Sequence, residues 1–285
     1  MSSPAFHEML EALWARNNFV CVGLDSDYNK IPRVVRTADI VTTITTFNCQ
    51  IIDATKDLVC AYKPNIAFYE ACGDKGWVAL RQTILHIKQV APEVPVILDA
   101  KRADIGNTNA GYVQAIFEFF GADAVTVHPY LGAEALEPFL ARKDKGVLVL
   151  CRTSNPGAGE FQDLDVSGEP LYRAVAKRVS TYWNKNRNCG LVVGATFPRE
   201  LREVREAVGE MPILIPGIGT QGGDVEATVD AGKDKRGRGM IINASRSIIF
   251  ASPGTDFVEA ARRETKSLRD AINNAADQKG KRHVG

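Results

Sequence analysis

Eight short apolar segments, separated by stretches of helical periodicity, constrain the fold of this 285-residue chain more than any other feature. They are continuous runs rich in Val, Ile and Leu rather than alternating patterns, which is typical of parallel strands covered by helices. The segments lie at residues 18–25, 58–65, 95–101, 124–130, 146–152, 190–196, 212–219 and 239–245. Each is followed by a stretch that can hold a helix, for example residues 69–90, 109–120, 171–186 and 257–276, and a further helix is predicted near residues 4–16, before the first strand.

Eight strand–helix units in about 250 residues are typical of a closed (β/α)8 TIM barrel of the α/β class. A doubly wound open sheet is the alternative that the pattern leaves open. No linker rich in Pro, Gly and Ser divides the chain, so residues 1–285 are expected to form a single domain. The longest connection, residues 153–170, contains NPGAGEFQD, and loops of this length with Gly and Pro are usually functional or mobile.

Composition excludes several classes of protein. Hydrophobic residues make up 45% of the chain, so disorder is excluded as the main state. Lys and Arg number 35 against 34 Asp and Glu, which leaves no overall field to attract nucleic acid or an anionic membrane. The chain has neither an apolar run of membrane-spanning length nor a signal-like start, and its six cysteines form no C-x-x-C pair. We therefore expect a cytoplasmic protein with reduced thiols and with neither a nucleic-acid nor a membrane partner.

Charged and polar residues recur where the predicted strands end. Strand ends in a barrel are crowded, so charges there are out of place unless they line a site. One such charge means little, but the same pattern at most of the eight ends is unlikely to arise by accident. The residues concerned are Asp25, Lys63, Asp99, Lys101, Asp104, His128, Arg152, Ser154, Gln221 and Arg246.

The sharpest cluster is LDAKRADIGNT at residues 98–108. Asp99 and Lys101 are two apart on a predicted strand, so their side chains point to the same face and hold each other ionised. Lys63, from the neighbouring strand, can reach Asp99, and Asp104 lies three residues beyond Lys101 in the following loop. The result is an alternating array of two ammonium groups and two carboxylates. The alternative is a salt-bridge network that merely closes the mouth of the barrel.

A second cluster combines PGIGTQGGD at 216–224 with NASRS at 243–247. Loops after the seventh and eighth strands of a barrel often bind phosphate. The glycines of the first segment allow backbone N–H groups to approach an anion, and the guanidinium of Arg246 suits phosphate oxygens. The alternative is that these glycines only form turns.

Two other candidates favour structural interpretations. His128 in VHPYLG is interpreted as a hydrogen-bonded structural residue rather than a site residue. The basic run KDKRGRG at 233–239 precedes the last predicted strand, which places it at the end of the barrel opposite the polar strand ends. We interpret it as a solvated turn rather than a nucleic-acid site.

LDAKRADIGNT closely resembles the D-x-K-x-x-D signature of the orotidine 5'-phosphate decarboxylase family. VGLDSD, AYKPN, TSNPGA, PGIGTQGGD and ASRS stand in the order expected for that family, so the resemblance covers most of the chain. The length and the long segment after the fifth strand resemble the longer bacterial branch, type 2. Because sister sugar-phosphate enzymes share D-x-K-x-x-D, the matches at Lys63, Ser154, Gln221 and Arg246 carry the distinction.

The resemblance implies a role for each member of the first cluster. Lys101 would protonate C6 of the pyrimidine, while Asp99 would lie against the substrate carboxylate. Lys63 would bridge Asp99 and the ribose. Asp104 and Thr108 would reach across a homodimer interface and complete the partner's site.

The resemblance also implies the residues that bind substrate. Asp25 would hold a ribose hydroxyl, and Ser154 would contact the pyrimidine ring. Gln221 and Arg246 would bind the 5'-phosphate, with Gly219 as a backbone donor. The expected reaction is decarboxylation of orotidine 5'-phosphate to UMP without cofactor or metal. A Mg²⁺-dependent sugar-phosphate lyase or decarboxylase on the same barrel, and a non-catalytic phosphate-ligand-binding barrel, remain as alternatives.

Overall fold

A computed structural model of the protein describes residues 4–218 and 224–277. Eight parallel strands form one sheet, and every predicted strand is confirmed. A separate two-stranded hairpin, β6 (Asp165–Val166) and β7 (Glu169–Pro170), lies between the fifth and sixth barrel strands in the chain. The barrel strands are β1 (Val20–Leu24), β2 (Val59–Pro64), β3 (Ile97–Arg102), β4 (Ala124–Val127), β5 (Gly146–Arg152), β8 (Cys189–Val193), β9 (Ile213–Pro216) and β10 (Met240–Ala244).

The sheet curls into a barrel that is nearly closed. Its strand order is β2-β1-β10-β9-β8-β5-β4-β3, and β2 meets β3 through the isolated bridges Tyr62↔Val96 and Asn65↔Asp99. Parallel strands need crossover connections, and helices supply them here. Because β2 and β3, the two ends of the strand order, meet, the open-sheet alternative is wrong and the predicted barrel is confirmed.

Helices surround the barrel and bury their apolar faces against it. They are α1 (Phe6–Trp14), α2 (Ile40–Thr55), α3 (Ile66–Glu70), α4 (Gly73–Val90), α5 (Gly106–Val113), α6 (Gly132–Leu140), α7 (Gly159–Gln162), α8 (Leu171–Arg178), α9 (Pro198–Val208), α10 (Val225–Gly232), α11 (Arg246–Ile249) and α12 (Phe257–Asp277). Side chains cap several of them: Asp39 accepts a hydrogen bond from the Thr42 amide at the start of α2, at 2.8 Å. No described helix has the length and apolar character that a membrane span requires.

The leading helix α1 covers the N-terminal end of the barrel. Phe6, Leu10 and Trp14 are buried on its inner face. A Cβ on Gly146, the first residue of β5, would lie 2.3 Å from the Phe6 ring, so only glycine allows the helix to approach so closely. The C-terminal ends of the strands are left open, and the site lies there.

The connection after β5 is longer than the others, as the sequence predicts, but it carries structure of its own. It contains α7 and the exposed β6–β7 hairpin, and Gly168 in the hairpin turn has φ of +88°. This segment arches beside the mouth of the barrel.

Candidate active site

A cavity of about 490 Å³ opens at the C-terminal ends of the strands. It brings together six of the ten residues that the sequence singles out for the site. Those six are Asp25, Lys63, Asp99, Lys101, Ser154 and Arg246. The position agrees with the rule that barrel enzymes carry their chemistry at this end.

At the base of the cavity, one carboxylate lies between two ammonium groups. The Nζ of Lys63, from β2, donates to Oδ2 of Asp99 at 2.8 Å, and the Nζ of Lys101 donates to Oδ1 at 2.7 Å. Lys63 is buried, whereas half of the Lys101 side chain is exposed toward the cavity mouth. The predicted Lys–Asp–Lys contacts are confirmed, and Lys101 is the member that a ligand can reach.

Electrostatics keep Asp99 and Lys63 ionised. Burial by itself raises the pKa of Asp99, but the two lysines outweigh it and hold that pKa well below the usual range. Burial likewise acts to lower the pKa of Lys63, and the charges of Asp99 and Asp25 reverse this effect and raise it. The cavity floor therefore presents fixed charges at neutral pH.

The backbone that carries Lys101 departs from a regular strand. Lys101 has φ of +47°, a left-handed conformation that residues other than glycine rarely adopt. The β3–β4 register also shifts between Leu98 and Arg102. The sequence places Asp99 and Lys101 on one face by simple alternation, and the two side chains do meet, but through a bulge rather than a regular pleat.

Asp25 lies beside Lys63 at the end of β1, and the hydrogen-bonding capacity of its carboxylate is only partly satisfied. Its Oδ1 atom is buried, and within residues 4–218 and 224–277 it has no hydrogen-bond partner. A buried carboxylate oxygen without a donor is costly, so native structures rarely leave one unexplained. Asp25 also lines the cavity, where a ligand hydroxyl can donate to its carboxylate.

Ser154 lies where the chain leaves β5 and crosses over β8. A Cβ on Gly194 would lie 2.7 Å from the Ser154 Cβ and 2.9 Å from its Cα, so glycine at 194 lets this turn sit low over the cavity. Gln162 of α7 fixes the same turn, since its Oε1 accepts from the Thr153 amide at 2.8 Å. Ser154 is thereby presented at the cavity wall.

Arg246 begins α11 and extends, exposed, at the cavity rim. Gly217, also at the rim, has φ of +107°, which requires glycine. Gly219 and Gln221, predicted to bind phosphate, lie outside the described residues. The described part of the predicted anion site thus consists of the Arg246 guanidinium and its neighbours Ser245 and Gly217.

Asp104 and Thr108 do not line the cavity of their own chain. Asp104 is half-buried after β3, and its Oδ1 accepts from the Ile105 amide at 2.6 Å. Thr108 is exposed on α5, close to Ile105, whose apolar side chain is 58% exposed. Their contribution to a partner's site stays a prediction.

The cavity also contains polar residues that the sequence reasoning did not single out. Asn65, Thr126, Asn155, Gln162 and Asn243 line it. Asn65 could have been noticed two residues after Lys63, but uncharged residues inside apolar runs, such as Thr126 in AVTVHPY, give no signal without the tertiary structure.

Arg152 and His128, two residues at strand ends, do not line the cavity. Arg152 is buried, lies 4.1 Å from the centre of the Phe197 ring and pairs with Asp163 at 3.1 Å. His128 lies outside the cavity lining, and its Nδ1 faces the Tyr130 amide at 3.4 Å. Over residues 4–218 and 224–277, no three His, Cys, Asp or Glu side chains are grouped so that they could hold a metal ion.

An eight-stranded parallel barrel with a hydrogen-bonded Lys–Asp–Lys array in an open cavity at its C-terminal mouth defines the class of βα-barrel enzymes. Residues 18–263 match the model of the orotidine 5'-phosphate decarboxylase / HUMPS family. The chain is 50% identical over 272 residues to an orotidine 5'-phosphate decarboxylase of Cellvibrio japonicus, covering 95% of this chain and 99% of the relative. It is 51% identical over 269 residues to the Ralstonia nicotianae enzyme of the same name, covering 94% and 98%.

A solved structure shows the same relationship. The OMP decarboxylase of Leishmania donovani superposes with a TM-score of 0.83 at 38% identity, over 95% of this chain and 98% of that one. The chain belongs to the orotidine 5'-phosphate decarboxylase family.

Proposed function

We propose that this protein decarboxylates orotidine 5'-phosphate to UMP and CO2, as a cytoplasmic enzyme of pyrimidine nucleotide synthesis. Family membership supports the reaction class, and one observation carries the assignment to the site: an accessible ammonium group, Lys101, is held 2.7 Å from a buried carboxylate in a cavity of nucleotide size. That group is the proton source the reaction needs.

The chemistry explains why an ammonium group is required. The bond between C6 and the carboxylate carbon breaks, CO2 leaves, and the electron pair stays on C6 in an orbital that the pyrimidine ring delocalises poorly. The positive charge of Lys101 stabilises this developing carbanion, and its proton is then transferred to C6, which yields UMP. Water restores the proton on the amine. The residues thus supply both the stabilising charge and the acid without a cofactor.

Asp99 has two roles in this proposal. It fixes Lys101 in position, and its charge lies where the substrate carboxylate would enter. Loss of CO2 removes one of the two facing negative charges, so the transition state is favoured relative to the bound substrate. Lys63 neutralises Asp99 from the far side and keeps the pair ionised before the substrate arrives.

The remainder of the nucleotide is assigned to the other residues of the cavity. Asp25 lines the cavity, and its Oδ1 has no partner among residues 4–218 and 224–277, so its carboxylate is assigned to accept from a ribose hydroxyl. Ser154 faces the pyrimidine ring, and Arg246, with Gln221 and Gly219, binds the 5'-phosphate. Binding energy from the phosphate aligns C6 with Lys101.

We also propose that a homodimer completes each site. Asp104 and Thr108 do not line their own cavity, and the exposed Ile105, between them in sequence, gives this surface an apolar residue. In a two-fold dimer the same residues would enter the partner's cavity. Mixing inactive Lys101→Ala with inactive Asp104→Ala chains should restore partial activity, because a heterodimer contains one intact site. Demonstrated subunit exchange without any recovery would show that each site belongs to one chain.

The direct test follows the loss of orotidylate absorbance with purified protein in excess EDTA. We expect turnover that survives the chelator and stops in Lys101→Ala. The absence of turnover in the wild type would overturn the proposal. Turnover that returns only with added Mg²⁺ would favour the metal-dependent lyase chemistry instead.

A further inference from the structure

The bulge in β3 displaces the backbone donors beside the two most important side chains of the cavity. Leu98 pairs with Val125 and Arg102 pairs with Val127, so β3 uses three residues where β4 uses only Thr126. The regular ladder cannot satisfy the N–H groups of the extra residues. A buried N–H group without an acceptor is unfavourable, so the bulge needs another partner.

The Thr126 hydroxyl is that partner. Its Oγ1 accepts hydrogen bonds from the amides of Ala100, at 3.1 Å, and Lys101, at 3.0 Å. Beyond the bulge, the ladder resumes with the His128 amide donating to the Arg102 carbonyl at 3.1 Å. One side-chain oxygen thus replaces the missing backbone acceptors at the point where Lys101 takes its left-handed conformation.

The same hydroxyl also binds the carboxylate. Thr126 Oγ1 lies 2.9 Å from Oδ1 of Asp99, the oxygen that also accepts from Lys101 Nζ. An ionised carboxylate has no proton to give, so the hydroxyl donates. Its proton and its lone pairs are therefore all committed, and Thr126 is fully buried.

We propose that Thr126 is a positioning residue for the decarboxylation: its hydroxyl fixes the backbone of Lys101 and the carboxylate of Asp99 so that the ammonium group faces the reacting carbon. The inference rests on the proposed function. Thr126 acts through Asp99 and Lys101, at a different part of the cavity from Arg246 at the rim. Its loss should therefore reduce kcat far more than it weakens nucleotide binding.

The test compares Thr126→Val, which keeps the shape and removes the hydroxyl, with Thr126→Ser, which keeps the hydroxyl. We expect Thr126→Val to lower kcat about 100-fold, equivalent to about 2.7 kcal/mol, as for loss of one preorganised donor. KM for orotidine 5'-phosphate and Kd for UMP should stay within about threefold, since the phosphate and ribose contacts are kept. Thr126→Ser should keep kcat within about threefold of wild type, because it restores the same hydrogen bonds.

Each kinetic result decides the proposal. A Thr126→Val enzyme with kcat near that of wild type would overturn it, as would a Thr126→Ser enzyme as slow as Thr126→Val. Equal losses in kcat and in UMP affinity would indicate general damage to the barrel and would also overturn it. If Thr126→Val does not fold, Thr126→Cys takes its place, because a thiol is of similar size but a weak hydrogen-bonding group.

A crystal structure of Thr126→Val separates this inference from the proposed function. We expect Lys101 to leave the left-handed region or its Nζ to move out of hydrogen-bond distance of Asp99. An unchanged Lys101 φ and an unchanged Lys101–Asp99 contact would overturn the positioning role whatever the kinetics. A wild-type protein without turnover would instead overturn the proposed function and leave the crystal structure to decide the role of Thr126.

Discussion

The two ends of this barrel both contain buried charges, but they use them differently. At the C-terminal end, Lys101 is half exposed and Asp25 has a buried oxygen without a partner among the described residues. At the N-terminal end, the buried Arg205 of α9 donates to four backbone carbonyls. These are the carbonyls of Gly209, Met211, Gly232 and Gly239, at 2.6 to 2.8 Å.

The N-terminal charges also tie the barrel to α1. Arg236 bridges Asp234 and Glu11 of α1, both at 2.9 Å, and Arg238 reaches Glu11 as well. Lys235 and Arg236 are exposed in a turn, as the sequence predicts for the run at 233–239, but Asp234 in the same run is buried. Asp234 is buried because it accepts hydrogen bonds from Arg236 and Arg238, and the sequence does not reveal these contacts.

Structural and functional buried charges differ in how completely their hydrogen bonds are satisfied. Burial alone does not distinguish the two ends, because both hold charged groups within the protein. Complete satisfaction by backbone and side-chain partners indicates a structural role, whereas remaining hydrogen-bonding capacity beside a cavity indicates a binding role. Mutations at the two ends should therefore affect different quantities.

The largest effect is expected at Lys101. Lys101→Ala removes both the stabilising charge and the proton source, so kcat should fall by at least about 10⁴-fold. The melting temperature should change little, because the side chain is half exposed. Lys56→Ala is the control, since Lys56 is an exposed lysine that pairs with Asp53 on α2. A Lys101→Ala enzyme with near-normal kcat would refute the role assigned to this residue.

At the N-terminal end of the barrel, a substitution of Arg205 should lower stability and leave activity almost unchanged. Burial lowers the pKa of Arg205 to about 10, so the group stays charged at neutral pH. Arg205→Met leaves four carbonyls without their donor and should lower the free energy of unfolding by about 3–5 kcal/mol. Well below the melting temperature, kcat should stay within about twofold because the sites are distant.

Arg202→Met is the matched control for Arg205. Arg202 lies on the same helix and pairs at the surface with Asp230, so its replacement should cost less than about 1 kcal/mol. Denaturant unfolding measures both variants. Equal stability of Arg205→Met and Arg202→Met would remove the distinction drawn between the ends.

Stability should depend on Asp99 in a characteristic pH range. The two lysines depress the pKa of Asp99 in the folded state, so its carboxylate stabilises the fold above the unfolded pKa of about 3.9. This contribution, on the order of 2 kcal/mol, is lost as pH falls toward the lower folded pKa. The difference in unfolding free energy between wild type and Asp99→Asn should be flat near neutrality and shrink below about pH 4. A difference that does not shrink in acid would contradict the ion-pair geometry.

The smallest effect is expected at Gly23, which lies against Ser245 in the cavity lining. A Cβ at this position would lie 1.8 Å from Ser245 Oγ, so Gly23→Ala should displace Ser245 and its neighbour Arg246. We expect KM to rise about tenfold, or about 1.4 kcal/mol, with a smaller change in kcat. Adding Ser245→Gly removes the obstructing atoms and should restore much of the affinity; no recovery would place the cause elsewhere.

Two helices contain a feature that local sequence patterns do not predict. Residues 109–120 and 171–186 read as single helices, yet α5 and α8 each end in a π-helical turn, at Gln114–Phe119 and Val179–Trp183. Such a change in hydrogen bonding depends on packing against the barrel, and the hydrophobic period is almost the same on either side of it.

The sequence by itself determined the barrel and most of its charged cavity. Eight apolar runs can be buried on both faces only within a ring of helices, and a Lys or Asp at the end of such a run can only be tolerated at the mouth. Tertiary structure alone decided that β3 bulges, that the Thr126 hydroxyl accepts from the amides of the bulge, and that Arg205 binds four carbonyls at the N-terminal end of the barrel. These features depend on hydrogen bonds between residues far apart in the chain, such as Lys101 with Thr126 and Arg205 with Gly239, 25 and 34 positions apart, and such pairings leave no pattern along the chain.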